Sequence, residues 1–169
     1  IHRYGLLAVR ISFSVLPISH TYECNCHILG GISCGTTICF NDSLKRVAEN
    51  LKLFKPSFSV MVPIFLESMH RKIWKTAKEN NLDMHIRYGV WFSNLLRKVG
   101  MDFRHLYFKP VADSFGGNLN QIICGGAPLS YEVEKGLTDL GIDILNGYGI
   151  TECAPLVSVN SKLWKKPGS

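Results

Sequence analysis

The chain has 169 residues, 46% hydrophobic and 19% charged, and its 19 Lys and Arg against 13 Asp and Glu give a formal net charge of +6. That balance is enough for one ordinary domain with its own core, and it excludes a collagen-like, low-complexity or disordered chain. The basic side chains are dispersed (Lys45, Arg46, Lys52, Lys55, Arg71, Lys72, Lys75, Lys78) and not gathered into an aromatic-laced stripe, so no nucleic acid partner is expected; the one dense cluster, Lys162 to Lys166, is too short to argue from.

In chain order, short apolar or β-branched runs alternate with helical stretches, which is the pattern of βα units on a parallel sheet. Strands are expected near 11–16, 36–40, 58–62, 119–124 and 142–146, each bounded by Gly, Pro, Asp or Asn. Between the first two, Tyr22 to Ser33 reads as a helix whose small residues Gly30, Gly31 and Ser33 suit close packing on a sheet or the border of a ligand channel, packing being the default. Asp42 and Ser43 offer N-caps to the next helix, with Leu44, Val47, Leu51 and Phe54 on one side, and Lys55-Pro56 ends it. Pro63 opens a third, with Phe65, Leu66, Met69, Ile73 and Trp74 as a core stripe and Arg71, Lys72 and Lys75 turned to water.

From Met84 to Val111 the pattern is helical again and broken by Gly100, which predicts several helices over the sheet face before the fourth strand. Ser130 caps a last helix, Tyr131 to Leu140, with Glu132 and Glu134 in its first turn, where carboxylates suit the helix dipole. The expected fold is α/β: a predominantly parallel sheet of about five strands with flanking helices.

Six cysteines (Cys24, Cys26, Cys34, Cys39, Cys124, Cys153) lie mostly in apolar runs, and the one close pair lacks the two-residue gap common in zinc sites. They are expected to be buried small apolar residues in a reducing compartment. No apolar run approaches the roughly 20 residues of a membrane span, and no signal peptide precedes the first strand. The expected location is cytoplasmic, with peripheral contact at the inner membrane face left open.

Chemistry concentrates after the fifth expected strand, in Asn146-Gly147-Tyr148-Gly149-Ile150-Thr151-Glu152. Open parallel sheets bind ligands at the C-terminal ends of their strands. There, glycines 147 and 149 would let the backbone approach a ligand, Tyr148 would offer a flat face to a base, Thr151 a hydroxyl to a phosphate, and Glu152 a hard oxygen to magnesium. Taken alone, the motif reads equally as a glycine turn with a buried Tyr and a solvated Glu. A second glycine-rich strand-to-helix turn, Cys124-Gly125-Gly126-Ala127-Pro128-Leu129, falls at the same sheet edge, and two adjacent turns can pinch a planar base.

The pair formed by Gly125-Gly126-Ala127-Pro128 and Asn146 to Glu152 resembles the adenine-site motifs of the adenylate-forming superfamily, which includes acyl-CoA synthetases, luciferases and peptide-synthetase adenylation domains. Leu16-Pro17-Ile18-Ser19-His20 resembles that family's Leu-Pro-x-x-His segment, and the following Thr21-Tyr22-Glu23 is similar to long-chain acyl-CoA synthetases, as is the stretch from Lys55-Pro56 to Lys72-Ile73. The resemblance runs from about Ile11 to Asn160. It implies that Gly125, Gly126, Ala127 and Pro128 line adenine, that Tyr148 stacks on it with Gly147 and Gly149 beside it, and that Asn146 meets its amino edge. It also implies that Thr151 touches the phosphates, that Glu152 binds Mg2+, and that His20 borders the acyl carboxylate and the ATP phosphates.

The reaction so implied is attack of a fatty acid carboxylate on the α-phosphate of ATP, followed by transfer of the acyl group to CoA. The family's Ser/Thr/Gly-rich phosphate loop, its ribose-binding Asp and its mobile C-terminal Lys have no match in these residues. The chain is therefore expected to be a single partial domain, the central part of the N-terminal domain of a long-chain fatty acid–CoA ligase, and inactive by itself. Ile1 to Arg10 does not match the family, and its origin is left open. A piece of a larger sheet would expose strand edges through which a homodimer could form. Two other readings stay open: a non-catalytic adenine-nucleotide-binding or interaction module, and a ligase for aryl or amino acids.

Overall fold

The computed structural model describes residues 10–153 and 155–160; the leading residues 1–9 and the Lys162 to Lys166 cluster lie outside them. Five strands run parallel: β1 (Ile11–Ser14), β2 (Thr37–Phe40), β3 (Phe58–Met61), β4 (Gln121–Cys124) and β5 (Asp143–Tyr148). A two-residue strand, β6 (Ser158–Val159), closes the far edge antiparallel to β5, so the order is β2-β1-β3-β4-β5-β6. Each parallel step needs a crossover, and the helical stretches between the strands supply them. The fold is the α/β arrangement expected from the sequence, with β6 added.

Pairing alternates the strand side chains between two faces. Phe13, Met61, Ile122, Cys124 and Ile144 share one face, where they join the main apolar core with helices α2 (Val47–Phe54), α3 (Pro63–Glu79) and α7 (Tyr131–Asp139) through Leu51, Leu66, Ile73 and Leu137. Full burial of each such side chain stabilises by about 1.5–3 kcal/mol. The other face carries α1, a π-type helix over Tyr22–Leu29 continued by an α-helical turn over Gly30–Ser33. The wider winding shows where the Gly30 N–H donates to Asn25 O, five residues back. Inside α1, His27 Nδ1 and Glu23 Oε1 lie 2.7 Å apart with both side chains fully buried, and the His27 ring meets Phe58 edge-on.

The helix starts follow their caps. Ser43 Oγ accepts from Lys45 N ahead of α2, and Ser130 Oγ accepts from Val133 N at α7. Pro63 occupies the first turn of α3, and Lys55 ends α2 in the left-handed region at φ 47°. The helical stretch after residue 84 resolves into α4 (Asp83–Lys98), α5 (Arg104–Tyr107) and α6 (Lys109–Asp113), with Gly100 at φ +85° marking the break.

Three expectations need correction. Of the six cysteines only Cys124 is buried; Cys24 and Cys26, in α1, and Cys39, on the edge strand β2, are half-buried, and Cys34, just past α1, and Cys153, on a short turn beyond β5, are exposed. Leu44 is exposed: it precedes α2, in a separate turn over Leu44–Arg46. Finally, Gly147 and Tyr148 do not form a turn after the fifth strand but extend it past Asn146, captured by β6 through the pairs Gly147↔Val159 and Tyr148↔Ser158.

Candidate functional site

The two glycine-rich segments meet at the C-terminal edge of the sheet, where Cys124 pairs with Asn146. Two cavities flank them. One, of about 340 Å³, is lined by His20, Tyr22, Gly125, Gly147, Thr151 and Glu152 among others. The other, of about 480 Å³, is lined by Cys124, Ala127, Pro128, Asn146 and Tyr148, with Gly126, Gly147 and Gly149 common to both. All eleven residues singled out from the sequence therefore line one cavity or the other.

The glycines serve the chain's own packing as well as any ligand. A Cβ on Gly149 would lie 1.7 Å from Pro155 O, and one on Gly125 would lie 2.8 Å from Tyr22 Oη. Gly126 sits at φ +86°, which an L side chain rarely adopts. At Gly149 the missing side chain makes room for residues 155–156, while the residue still lines both cavities.

Tyr148 is 66% exposed at the end of β5, so a ring face is open to stacking. Thr151 and Glu152 lie exposed on a short 3₁₀ turn, Thr151–Cys153. Among the described residues no three His, Cys, Asp or Glu gather as a metal cluster. Glu152 is a single hard oxygen donor at a cavity mouth, which suits Mg2+ shared with a ligand's phosphates better than an all-protein cage.

His20 accepts at Nδ1 from the Tyr22 backbone N–H, 3.1 Å away. The neutral ring then carries its proton on Nε2 and can donate to an anionic oxygen in the first cavity. Tyr22 is 6% exposed, and its hydroxyl is buried with no hydrogen-bond partner among the described residues. Burial first, then the neighbouring Cys124, Cys26 and Glu23, raises its pKa, so it remains a neutral donor. Cys124 is likewise pushed up to about 12, by burial and then by Glu134 and Glu67.

Glu134 escaped sequence reasoning as a site residue. Only 1% exposed, it accepts from Asn146 Nδ2 at 2.8 Å. Its signal was available: Glu134 lies between Val133 and Leu137, one and three residues away, and both face the core.

The family model described as AMP-binding enzyme matches residues 4–169. Among curated relatives, the chain is 26% identical to long-chain-fatty-acid–CoA ligase 6 of Rattus norvegicus, over 85% of this chain and 21% of that protein. It is 27% identical to long-chain-fatty-acid–CoA ligase 5 of Mus musculus, over 89% and 23%. It is 28% identical to long chain acyl-CoA synthetase 4 of Arabidopsis thaliana, over 85% and 23%. The chain thus spans about a fifth of the length of these relatives. In fold it resembles the A domain of carboxylic acid reductase from Segniliparus rugosus in complex with AMP and a co-purified carboxylic acid (TM-score 0.67, 22% identity, 92% of this chain and 23% of that one). It also resembles the anthranilate CoA ligase AuaEII in complex with anthranoyl-AMP (TM-score 0.64, 17% identity, 98% and 26%).

Proposed function

The chain belongs to the AMP-binding enzyme family, and from that premise we propose that it forms the central part of the ATP site of a long-chain fatty acid–CoA ligase. The observation that carries this reading is the pair of cavities on either side of the glycine segments. A base fits the cavity with Tyr148 and Asn146, while the phosphates and the reacting carboxylate fit the one with His20, Thr151 and Glu152. Long-chain substrates are favoured by the three relatives, each named as a long-chain ligase or synthetase.

In this reading the Tyr148 ring stacks on adenine, which contributes roughly 1–3 kcal/mol of base binding. The His20 Nε2–H and the Thr151 hydroxyl donate to oxygens that gain charge as the fatty carboxylate attacks the α-phosphate and pyrophosphate leaves. Positioned donors of this kind matter most where negative charge develops. Glu152 would hold Mg2+, which when bound would neutralise phosphate charge. The acyl group of the adenylate then passes to the CoA sulfur, breaking the acyl–phosphate bond and releasing AMP and the thiol proton. A reducing, cytoplasmic location suits the six free cysteines, and no helix among the described residues is long and apolar enough to cross a membrane.

The test is ATP–pyrophosphate exchange and thioester formation with palmitate and CoA, comparing the whole protein that carries these residues with its Glu152→Ala variant. Exchange should fall at least tenfold in the variant while fatty acid binding is kept. Equal exchange in the two proteins would remove Glu152 from the metal role, and no exchange by either would overturn the ligase reading. The 169 residues alone should form no thioester, since they contain no match to the family's phosphate loop.

A further inference from the structure

Behind the cavity that Asn146 and Tyr148 line, α7 buries a carboxylate. Glu134 reaches the end of β5 from the first turn of that helix, where the dipole favours negative charge, and its own N–H donates to Ser130 O at 3.1 Å. Asn146 is equally constrained: β4 pairs with it through Cys124, and its backbone carbonyl accepts from Asn160 N at 2.9 Å. With both backbones held, the 2.8 Å bond from Asn146 Nδ2 to Glu134 Oε2 governs how the amide is turned.

A carboxylate accepts hydrogen bonds and does not donate them, whereas a primary amide donates through nitrogen and accepts through oxygen. Glu134 therefore takes the nitrogen end and leaves Oδ1 as the amide's free polar atom on the cavity wall. We propose that Glu134 is a positioning residue that holds Asn146 with its oxygen toward the cavity, so that the site selects a purine with a 6-amino group over a 6-oxo purine. The inference rests on the ATP-site reading above. A 6-amino group donates to Oδ1; a 6-oxo group brings a second acceptor against it, a mismatch that leaves both acceptors without a donor. Without the carboxylate the amide can turn over and offer Nδ2 to the oxo group.

The test compares AMP and IMP affinity by calorimetry in the whole protein and in its Glu134→Gln variant, whose side chain can present either an acceptor or a donor to Asn146. The AMP-to-IMP affinity ratio should fall roughly three- to tenfold, the range expected for one hydrogen bond. In an Asn146→Ala background the ratio should already be low, and Glu134→Gln should not move it further. An unchanged ratio in Glu134→Gln, an unchanged ratio in Asn146→Ala, or a proportional loss of both ligands would each overturn the positioning role. If the unsubstituted protein binds no AMP, the ATP-site reading itself fails. That outcome is distinct from AMP binding with an unmoved ratio.

Discussion

Among single residues, Gly149 ties the site's shape most directly to the backbone. Its missing side chain admits Pro155 O and Leu156 Cα, which would stand 1.7 and 2.9 Å from a Cβ. That approach brings Val157 N to Tyr148 O at 2.9 Å and positions β6 against β5. Gly149→Ala must push the 155–160 segment away from the end of β5, because the obstructing atoms are backbone and cannot rotate aside. Overpacking of this kind costs about 1–3 kcal/mol, and AMP binding should weaken with it as Tyr148 loses its strand partner. Gly30→Ala is the control: its nearest neighbour would be Asn25 O at 3.6 Å, inside a helix, so stability should hold or rise by up to about 1 kcal/mol. Urea midpoints and AMP titrations read both; equal midpoints for Gly149→Ala and the unsubstituted chain would remove the packing argument.

Between elements, a buried cation joins the start of α5 to the β5 end of the sheet. Arg104, 5% exposed, donates from Nε and Nη2 to Asp102 at 2.9 and 2.7 Å, from Nη1 to Asp143 at 3.1 Å, and also to Thr138 O. Its hydrogen bonds hold the Asp102 carboxyl down at about 2. A carboxyl whose pKa is lowered on folding adds stability above its unfolded pKa, near 4, and that stability is lost as pH falls toward about 2. The effect is modest, because the Asp102 side chain is 44% exposed and solvent screens the pair. Stability of the unsubstituted chain should drop between pH 4 and 2 more steeply than that of Asp102→Asn, measured as urea midpoint against pH; parallel curves would count against the linkage. Arg104→Met, which removes the buried cation that bonds both Asp102 and Asp143, should cost about 2–4 kcal/mol at pH 7. None of this link was legible in the sequence, since Asp102, Thr138 and Asp143 come together only when α5 folds under the α7–β5 loop. The five parallel strands and the caps at Ser43, Pro63 and Ser130 were legible because each rests on local periodicity or turn chemistry. The strand β6 was not, because two residues, Ser158 and Val159, carry no period and become a strand only by pairing with Gly147 and Tyr148. The glycine motifs were legible as neighbouring turns at one sheet edge, but what would stand against each missing side chain depended on residues six or a hundred positions away.

Over the whole molecule, the described surface is unusually apolar along one helix. On α4, Tyr88, Trp91, Phe92 and Leu95 are 66, 67, 50 and 48% exposed, and Val99 just beyond is 67% exposed. Their spacing of three and four residues lays them in one outward stripe, while Gly89 and Ser93 turn inward. Ile86 and Val90 of the same helix pack against the core, so α4 carries apolar side chains on its outward side as well as its inward one. Among the described residues β2 is an edge strand of the sheet, with Thr37 and Phe40 exposed. A contiguous apolar stripe and an open edge are the two surfaces through which chains associate. The 169 residues alone should therefore self-associate through the α4 stripe, seen as a sedimentation coefficient that rises with concentration. Trp91→Glu with Phe92→Lys should shift the chain to monomer, because two charges would have to be buried for the stripe to pair. If the loss of association instead requires blocking β2, as with a proline at Ile38 that removes an edge donor, the contact is strand addition. A chain that stays monomeric at high concentration would show that α4 is tolerated in water as it stands.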